Sequence, residues 1–400
     1  MTAQRVDRLG RLVWAPEGVR LSNVGPPTAV SGASIASDNA GGAFAAWVVT
    51  AHSPVFSTKL RFQRVLADGT LLTPYGTDIS GTDGVAFGDS PGLVPDGAGG
   101  IFLAWLVAST PTTGELYVQR IDASGKLLWS APSRVSQSDL SKTRPSYASD
   151  GAGGIVIAWK EPGQTLTSIL AQRIDRDGEP LWGSNGLVLA ASTIQGTLAV
   201  GDDGHGGFVV AWPGLQDLRA QRIDAAGDPS WIDGGITVAN ATTESAVGVV
   251  PDQIGGVYIG MTRRDLSSVD HFVQHVDAGG AMLWNSVGVR VAESIGPHGP
   301  LNRFGLQMIA DGDGGTIVSW SEVVDRSYDD ETDCRAQKFD AAGRLLWGST
   351  GAPVSTGPQS QLYPVMIPDW NGGATLAWSQ SPSSNGIEAD VYGQHINRQG

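Results

Sequence analysis

The stretch LRAQRIDAAGDPSW, residues 218–231, decides the fold, because its core, Gln-Arg-Ile-Asp-x-x-Gly followed by Trp, keeps returning. The glutamine stands at Gln4, Gln63, Gln119, Gln172, Gln221, Gln274, Gln337 and Gln394, at intervals of 49 to 63 residues. Three positions on comes Asp7, Asp122, Asp175, Asp224, Asp277 or Asp340, with Leu66 and Asn397 as departures. Seven positions further comes Trp14, Trp129, Trp182, Trp231, Trp284 or Trp347, with Thr73 the exception.

A second phrase, Asp-x-x-Gly-Gly, lies between the copies of the first and begins at Asp38, Asp96, Asp150, Asp203, Asp252, Asp311 and Asp369. Each copy leads into an alternating apolar run ending in Trp47, Trp105, Trp159, Trp212, Trp320 or Trp378, with Met261 in their place once. Runs such as IVIAW and LRAQRID have period 2, are rich in β-branched and apolar residues, and are bounded by Asp/Gly turns, so they read as strands. One unit holds four of them: a short strand before the Asp-x-x-Gly-Gly turn, the "AW" strand, the "AQRID" strand, and a strand after the second Trp. About 56 residues for four antiparallel strands is the size of one propeller blade. A lone four-stranded sheet cannot bury two apolar faces, whereas radial repetition covers each face with a neighbour. The expected fold is therefore all-β: a seven-bladed β-propeller spanning 1–400 as one domain, with an open stack of sheets as the other arrangement.

The chain begins with AQRVDRLGRLVW and ends with YGQHINRQG, so residues 11–22 are expected to complete the blade that 362–397 begins. That leaves Gln4 and Gln394 as two copies of one strand for one slot.

Composition narrows the partners. A net charge of −14, with five lysines against 21 arginines, supplies no electrostatic footprint for nucleic acid. No run of about 18 apolar residues occurs, so no membrane insertion is expected. MTAQRVDRLG enters the repeat without a charged leader and apolar run, so no signal peptide is expected in this sequence. Cys334 stands alone, which excludes an intramolecular disulfide and a multi-cysteine metal site. A monomer is expected.

Each repeated residue has a structural reading. The glutamines share a strand face with apolar residues and read as buried amides bonding backbone between blades. The residue after them varies, becoming His275, Lys338 and His395, which argues against a fixed chemical task there. The turn aspartates accept backbone N–H groups while glycine supplies the left-handed position. DGDGG at 311–315 has calcium as its other reading, although it lacks the length and distal Glu of a calcium loop. The tryptophans read as packing between blades. Gly88-Asp89-Ser90-Pro91-Gly92 matches a nucleophile-elbow pattern, but no strand-to-helix junction is predicted there, and it reads as a turn. No catalytic residues are assigned.

DGAGGIVIAW followed by AQRIDRDGEPLWG resembles a tandem repeat common in bacterial surface or secreted proteins of uncharacterised function. The resemblance covers essentially the whole chain and implies a propeller at an extracellular or cell-surface location. IDASGKLLW and FDAAGRLLWG also look distantly like the repeat of quinoprotein-type propellers, whose neighbouring cysteine pair has no counterpart beside Cys334 alone. No cofactor is therefore expected.

In an antiparallel meander the first and third connections lie at one end and the others at the opposite end. Both connections at the first end are uniform Asp/Gly turns; the opposite end carries everything that varies, and binding residues concentrate on loops held by rigid frames. The longest and most acidic variable loop, 321–334, offers Asp325, Tyr328, Asp329, Asp330, Glu331 and Asp333, and TRRDLSSVD at 262–270 brings Arg263 and Arg264. These eight residues are the candidate ligand site, with calcium assistance as an option and a solvated acidic loop as the plain reading. The expected function is a non-catalytic recognition or scaffold module binding a glycan or protein. A glycan-active hydrolase or lyase assembled from the same loops is the other.

Overall fold

The computed structural model describes residues 1–7, 10–22, 28–51, 57–79, 86–87, 90–110, 113–192, 196–240, 245–264, 268–293, 302–325, 331–357, 359–381 and 390–400. Every regular element among them is a strand. The fold is an all-β, seven-bladed propeller whose blades are antiparallel meanders. Two compact units divide the chain, one of Met1–Asp7 with Arg11–Ala191, the other built on Ser192–Gly400.

The first unit holds an N-terminal hairpin and three blades. Thr2–Ala3 pairs with Val19–Arg20. Blade 1 runs through Thr28–Ser37, Ala43–Ala51, Ser57–Val65 and Thr77–Asp78. In blade 2 the first strand is split into Ala86–Phe87 and Gly92–Pro95, both paired with Ile101–Thr110 ahead of Thr113–Ile121 and Ser133–Arg134. Blade 3 comprises Thr143–Ser149, Ile155–Pro162, Thr167–Ile174 and Leu187–Ser192.

The second unit holds four blades. Blade 4 is Ala199–Asp202, Phe208–Pro213, Leu218–Ile223 and Ile236–Ala239; blade 5 is Ser245–Pro251, Val257–Arg264, Val269–Val276 and Val289–Arg290. Blade 6 is Arg303–Ala310, Thr316–Asp325, Glu331–Phe339 and Ala352–Ser355. Blade 7 has three strands among the described residues, Ser360–Pro368, Ala374–Ser381 and Asp390–Ile396. The two copies of the glutamine strand thus lie in separate sheets. Val19–Arg20, expected beside 390–396, takes the N-terminal copy as its partner. Gln4 explains the choice: its Nε2 donates to the Ala15 carbonyl at 2.7 Å and its Oε1 accepts from the Trp14 N–H at 3.3 Å.

The same glutamine pin holds the third strand to the chain that follows it in every complete blade. Gln119 donates to the Trp129 carbonyl and accepts from the N–H groups of Arg120 and Trp129. The bonds stay mainly inside one blade, where the sequence reading placed them between blades; Gln172 and Gln274 add a carbonyl of the preceding blade, Val135 or Val238. A buried amide needs such partners, and in each complete blade they stand ten or eleven residues after the glutamine.

The turns are built just as tightly. Asp96 Oδ1 accepts from the N–H groups of Ala98 and Gly100, both at 2.8 Å. The second glycine is dictated by close approach, since a Cβ on Gly100 would stand 2.3 Å from the Ile121 carbonyl oxygen. Adjacent blades lock through the second Trp of each unit. Trp129 Nε1 donates to the Arg176 carbonyl at 3.1 Å while its ring lies 3.0 Å from where a Cβ on Gly178 would be, so that turn needs glycine. Trp14, Trp231, Trp284 and Trp347 donate to the corresponding turns at Ala67, Ala278, Ala341 and Arg398. The tryptophans of the second strands, among them Trp47, Trp159, Trp212 and Trp320, are fully buried between sheets.

Candidate binding site

In the seven blades the residue after the glutamine has one task after all. Arg64, Arg120, Arg173, Arg222, His275, Lys338 and His395 each contact Oδ2 of the turn aspartate of their own blade, Asp38, Asp96, Asp150, Asp203, Asp252, Asp311 and Asp369, at 2.6 to 3.0 Å. Variation among Arg, His and Lys conserves an N–H donor that can carry positive charge, which is what a buried carboxylate requires. Burial pushes the Asp38 carboxyl up, yet the N–H groups of Ala40 and Gly42 and the Arg64 guanidinium outweigh it and hold it below its ordinary value. Asp203 behaves the same way through His205, Gly207 and Arg222. Several of these side chains also bond the next blade's turn: Arg120 reaches the Arg176 carbonyl, Arg222 that of Ala278, and His275 that of Ala341.

At DGDGG the two oxygens of Asp311 are likewise engaged, Oδ1 by the N–H groups of Asp313 and Gly315 and Oδ2 by Lys338 at 3.0 Å. Lys338 donates to the Gly372 carbonyl and Trp347 to that of Arg398, beside a cavity of about 250 Å³ whose lining includes Asp311, Asp313, Lys338, Asp340 and Arg398. Its charges pair internally, Asp313 with Arg398 at 2.9 Å and with Lys338 at 3.5 Å.

The variable end carries a second kind of buried charge, which the sequence reading missed. Between blades 5 and 6, Arg303 donates through Nε to Glu322 at 3.1 Å and through Nη1 to Asp270 at 2.5 Å, and also bonds the carbonyls of Ala292 and Glu293. Arg290 pairs with the other oxygen of Asp270. Arg335 Nε stands 2.6 Å from Glu322 Oε1 as an ion contact off the N–H axis. Between blades 2 and 3 the same register positions hold Lys142, Glu161, Glu115 and Arg134. In both clasps the glutamate lies two residues after a buried Trp and accepts its indole N–H, Trp159 to Glu161 at 3.2 Å and Trp320 to Glu322 at 3.1 Å. Trp47 and Trp212, followed at that offset by Val49 and Gly214, leave the indole N–H without a partner. The signal was therefore legible as W-x-E, with an acid four residues before the glutamine and a cation eight before the turn aspartate.

Beside the clasp between blades 5 and 6 lies His271, buried and bonded through Nδ1 to the Thr262 hydroxyl at 3.1 Å. Burial, helped by the Arg303 charge, pushes its pKa down to about 3. The folded value lies below the unfolded one of 6.5, so the unfolded chain takes up the proton first and stability drains as pH falls from 6.5 towards 3. The corresponding positions of other blades carry Leu60, Leu116 and Leu218. His271→Leu should remove a loss on the order of 5 kcal/mol between those limits, flattening the urea midpoint against pH. An unaltered acid slope would contradict this placement.

The eight candidate residues are distributed as follows. Arg263 stacks over the Phe272 ring at 4.2 Å and reaches the Val287 carbonyl, inside blade 5. Arg264 follows it, exposed, at the strand end. Asp325 and Glu331 are register partners at the mouth of the blade 6 hairpin. Tyr328, Asp329 and Asp330 lie outside the described residues. Asp333 is buried lower in the hairpin, 4.0 Å from Arg335. Cys334, beside it, faces Ser321 at 3.7 Å, and burial pushes its thiol up to about 12, the reverse of a reactive cysteine. Among the described residues no three His, Cys, Asp or Glu side chains converge as a metal-binding group.

No family model and no curated protein matches the chain. Among solved structures it is similar to a protein of unknown function from Dyadobacter fermentans DSM 18053, at 13% identity and TM-score 0.44, over 78% of this chain and 94% of that one. It is similar to the polysaccharide lyase Uly1 at 10% identity and TM-score 0.47, over 89% of this chain and 88% of that one. A third similar structure is the NanB sialidase of Streptococcus pneumoniae, at 10% identity and TM-score 0.43, over 93% of this chain and 69% of that one.

Proposed function

We propose that the protein is a recognition module, extracellular or at a cell surface, that takes a glycan or protein ligand at the variable-loop end of its blades. One observation carries this reading: at the turn end the repeated Asp, cation, Gln and Trp are committed to framework bonds. What differs between blades is gathered at the other end, on hairpins held by that frame, the ordinary division of labour between scaffold and binding loops. The buried charges beneath those hairpins are paired with one another, which suits positioning rather than proton transfer.

The test replaces residues 325–333 with a short Gly/Ser linker. The melting temperature should fall, because the exchange removes buried Thr332 and Asp333 with the Thr332 bond to the Gln361 carbonyl, but a cooperative unfolding transition should remain, because it spares the clasp residues Glu322 and Arg335. Binding on a glycan array or to a captured protein should fall at least tenfold, and calcium titration shows whether that ion takes part. Unchanged binding would remove this hairpin from the site. Turnover of any glycan in a hydrolase and lyase screen would replace the recognition reading with an enzymatic one.

A further inference from the structure

Six of the seven turn aspartates meet an arginine or a histidine, and blade 6 sets a primary amine, Lys338, against its own. The difference is chemical. A guanidinium keeps its proton, whereas a lysine amine that gives one up is a nucleophile. Lys338 Nζ stands 3.0 Å from Asp311 Oδ2, with the two side chains 4% and 2% exposed. Nζ also donates to the Gly372 carbonyl at 2.8 Å and lies 3.5 Å from Asp313 Oδ2.

The turn polarises the carboxyl that faces this amine. Asp311 Oδ1 accepts from the N–H groups of Asp313 at 2.7 Å and Gly315 at 2.8 Å, so two fixed dipoles stand where negative charge gathers when Cγ is attacked. Oδ2 faces the amine. Asp313, 39% exposed and held by Arg398 at 2.9 Å, lies between the amine and the cavity of about 250 Å³. The buried lysine of the clasp between blades 2 and 3 has no such arrangement. Its carboxylates stand 3.7 and 4.0 Å away and are held by side chains, Glu115 by Arg134 and Glu161 by Trp159 and Ser138.

We infer that Lys338 and Asp311 condense into an isopeptide bond, which ties the Asp-x-x-Gly-Gly turn of blade 6 to its third strand. A proton passes from Nζ to Oδ2 along their contact, leaving an amine and a carboxylic acid. Nζ then attacks Cγ, and charge gathers on Oδ1 under the Asp313 and Gly315 N–H groups. Asp313 takes a proton from the nitrogen and returns it to the departing oxygen, so the Cγ–Oδ2 bond breaks and water leaves into the neighbouring cavity. The amide keeps Oδ1 as its carbonyl oxygen, so both turn bonds survive. No second reactant is consumed. Holding the two groups in contact replaces an encounter in solution, worth an effective molarity on the order of 10⁵ M in well-oriented cases, and this favours condensation.

The test is the intact mass of the purified chain. Wild type should be lighter than its sequence mass by one water, and a protease digest should hold the segments around Asp311 and Lys338 in one branched peptide. Lys338→Arg installs the residue that blades 1 to 4 carry there, so it should fold and return to the full sequence mass. Asp313→Ala installs the residue found at Ala40, Ala98 and Ala152, and should slow the reaction about 100-fold or more, leaving chains at the unlinked mass. Wild type at its full sequence mass would overturn the bond. So would a water loss that persists in K338R, which marks a cyclised Asp-Gly turn instead. Complete linkage in D313A would overturn Asp313 as the proton carrier.

Discussion

Arg303→Val is expected to lower the unfolding free energy by about 3–5 kcal/mol, because it strands Asp270 and Glu322 in the interior with part of their charge unanswered. Arg303 is 1% exposed and Glu322 fully buried, so water cannot take over. The chain itself shows the remedy: at the same cross-strand position blade 1 pairs Val30 with Val49 where blade 6 pairs Arg303 with Glu322. Arg303→Val combined with Glu322→Val should therefore be more stable than Arg303→Val alone, since a buried ion pair swapped for apolar residues costs far less than half of one removed. Urea titrations of both variants measure the difference. Additive losses would mean that the two residues do not act as a pair.

Deleting residues 1–22 is expected to cost at least about 5 kcal/mol and lower Tm by roughly 10 °C or more. The hairpin brings Trp14 and Leu21, both nearly inaccessible, into one cluster with Ala45, Trp47, Val49 and Val65 of blade 1. Arg5 also donates to the Ala67 carbonyl at 2.9 Å. Without the hairpin the outer face of blade 1, including the fully buried Trp47, would meet water. A calorimetric scan reads the effect, and an unchanged melt would show that the hairpin covers nothing.

The blades, their turns and their packing tryptophans were legible because each depends on a local pattern: period-2 runs, Asp-x-x-Gly-Gly, and Trp at a fixed offset. The cation ladder was visible and misread. Arg222, His275 and Lys338 looked like drift, and their common role emerges only beside Asp203, Asp252 and Asp311, which lie 19 to 27 residues earlier in sequence. The clasps escaped because they occur at two junctions and their members come from separate segments of two neighbouring blades. Of the candidate site residues, Asp325 and Glu331 are register partners across one hairpin, while Arg263 is engaged with Phe272 in its own blade.

The central claim is that one end of the blades is frame and the other recognises. Hydrogen–deuterium exchange on the wild-type protein, with and without a glycan or captured protein that binds it, tests that division most directly. Protection should appear at residues 262–270 and 321–334 and leave the Asp-x-x-Gly-Gly turns at 96–100, 150–154 and 311–315 unaltered. Protection confined to those turns, with the hairpins unaffected, would contradict it.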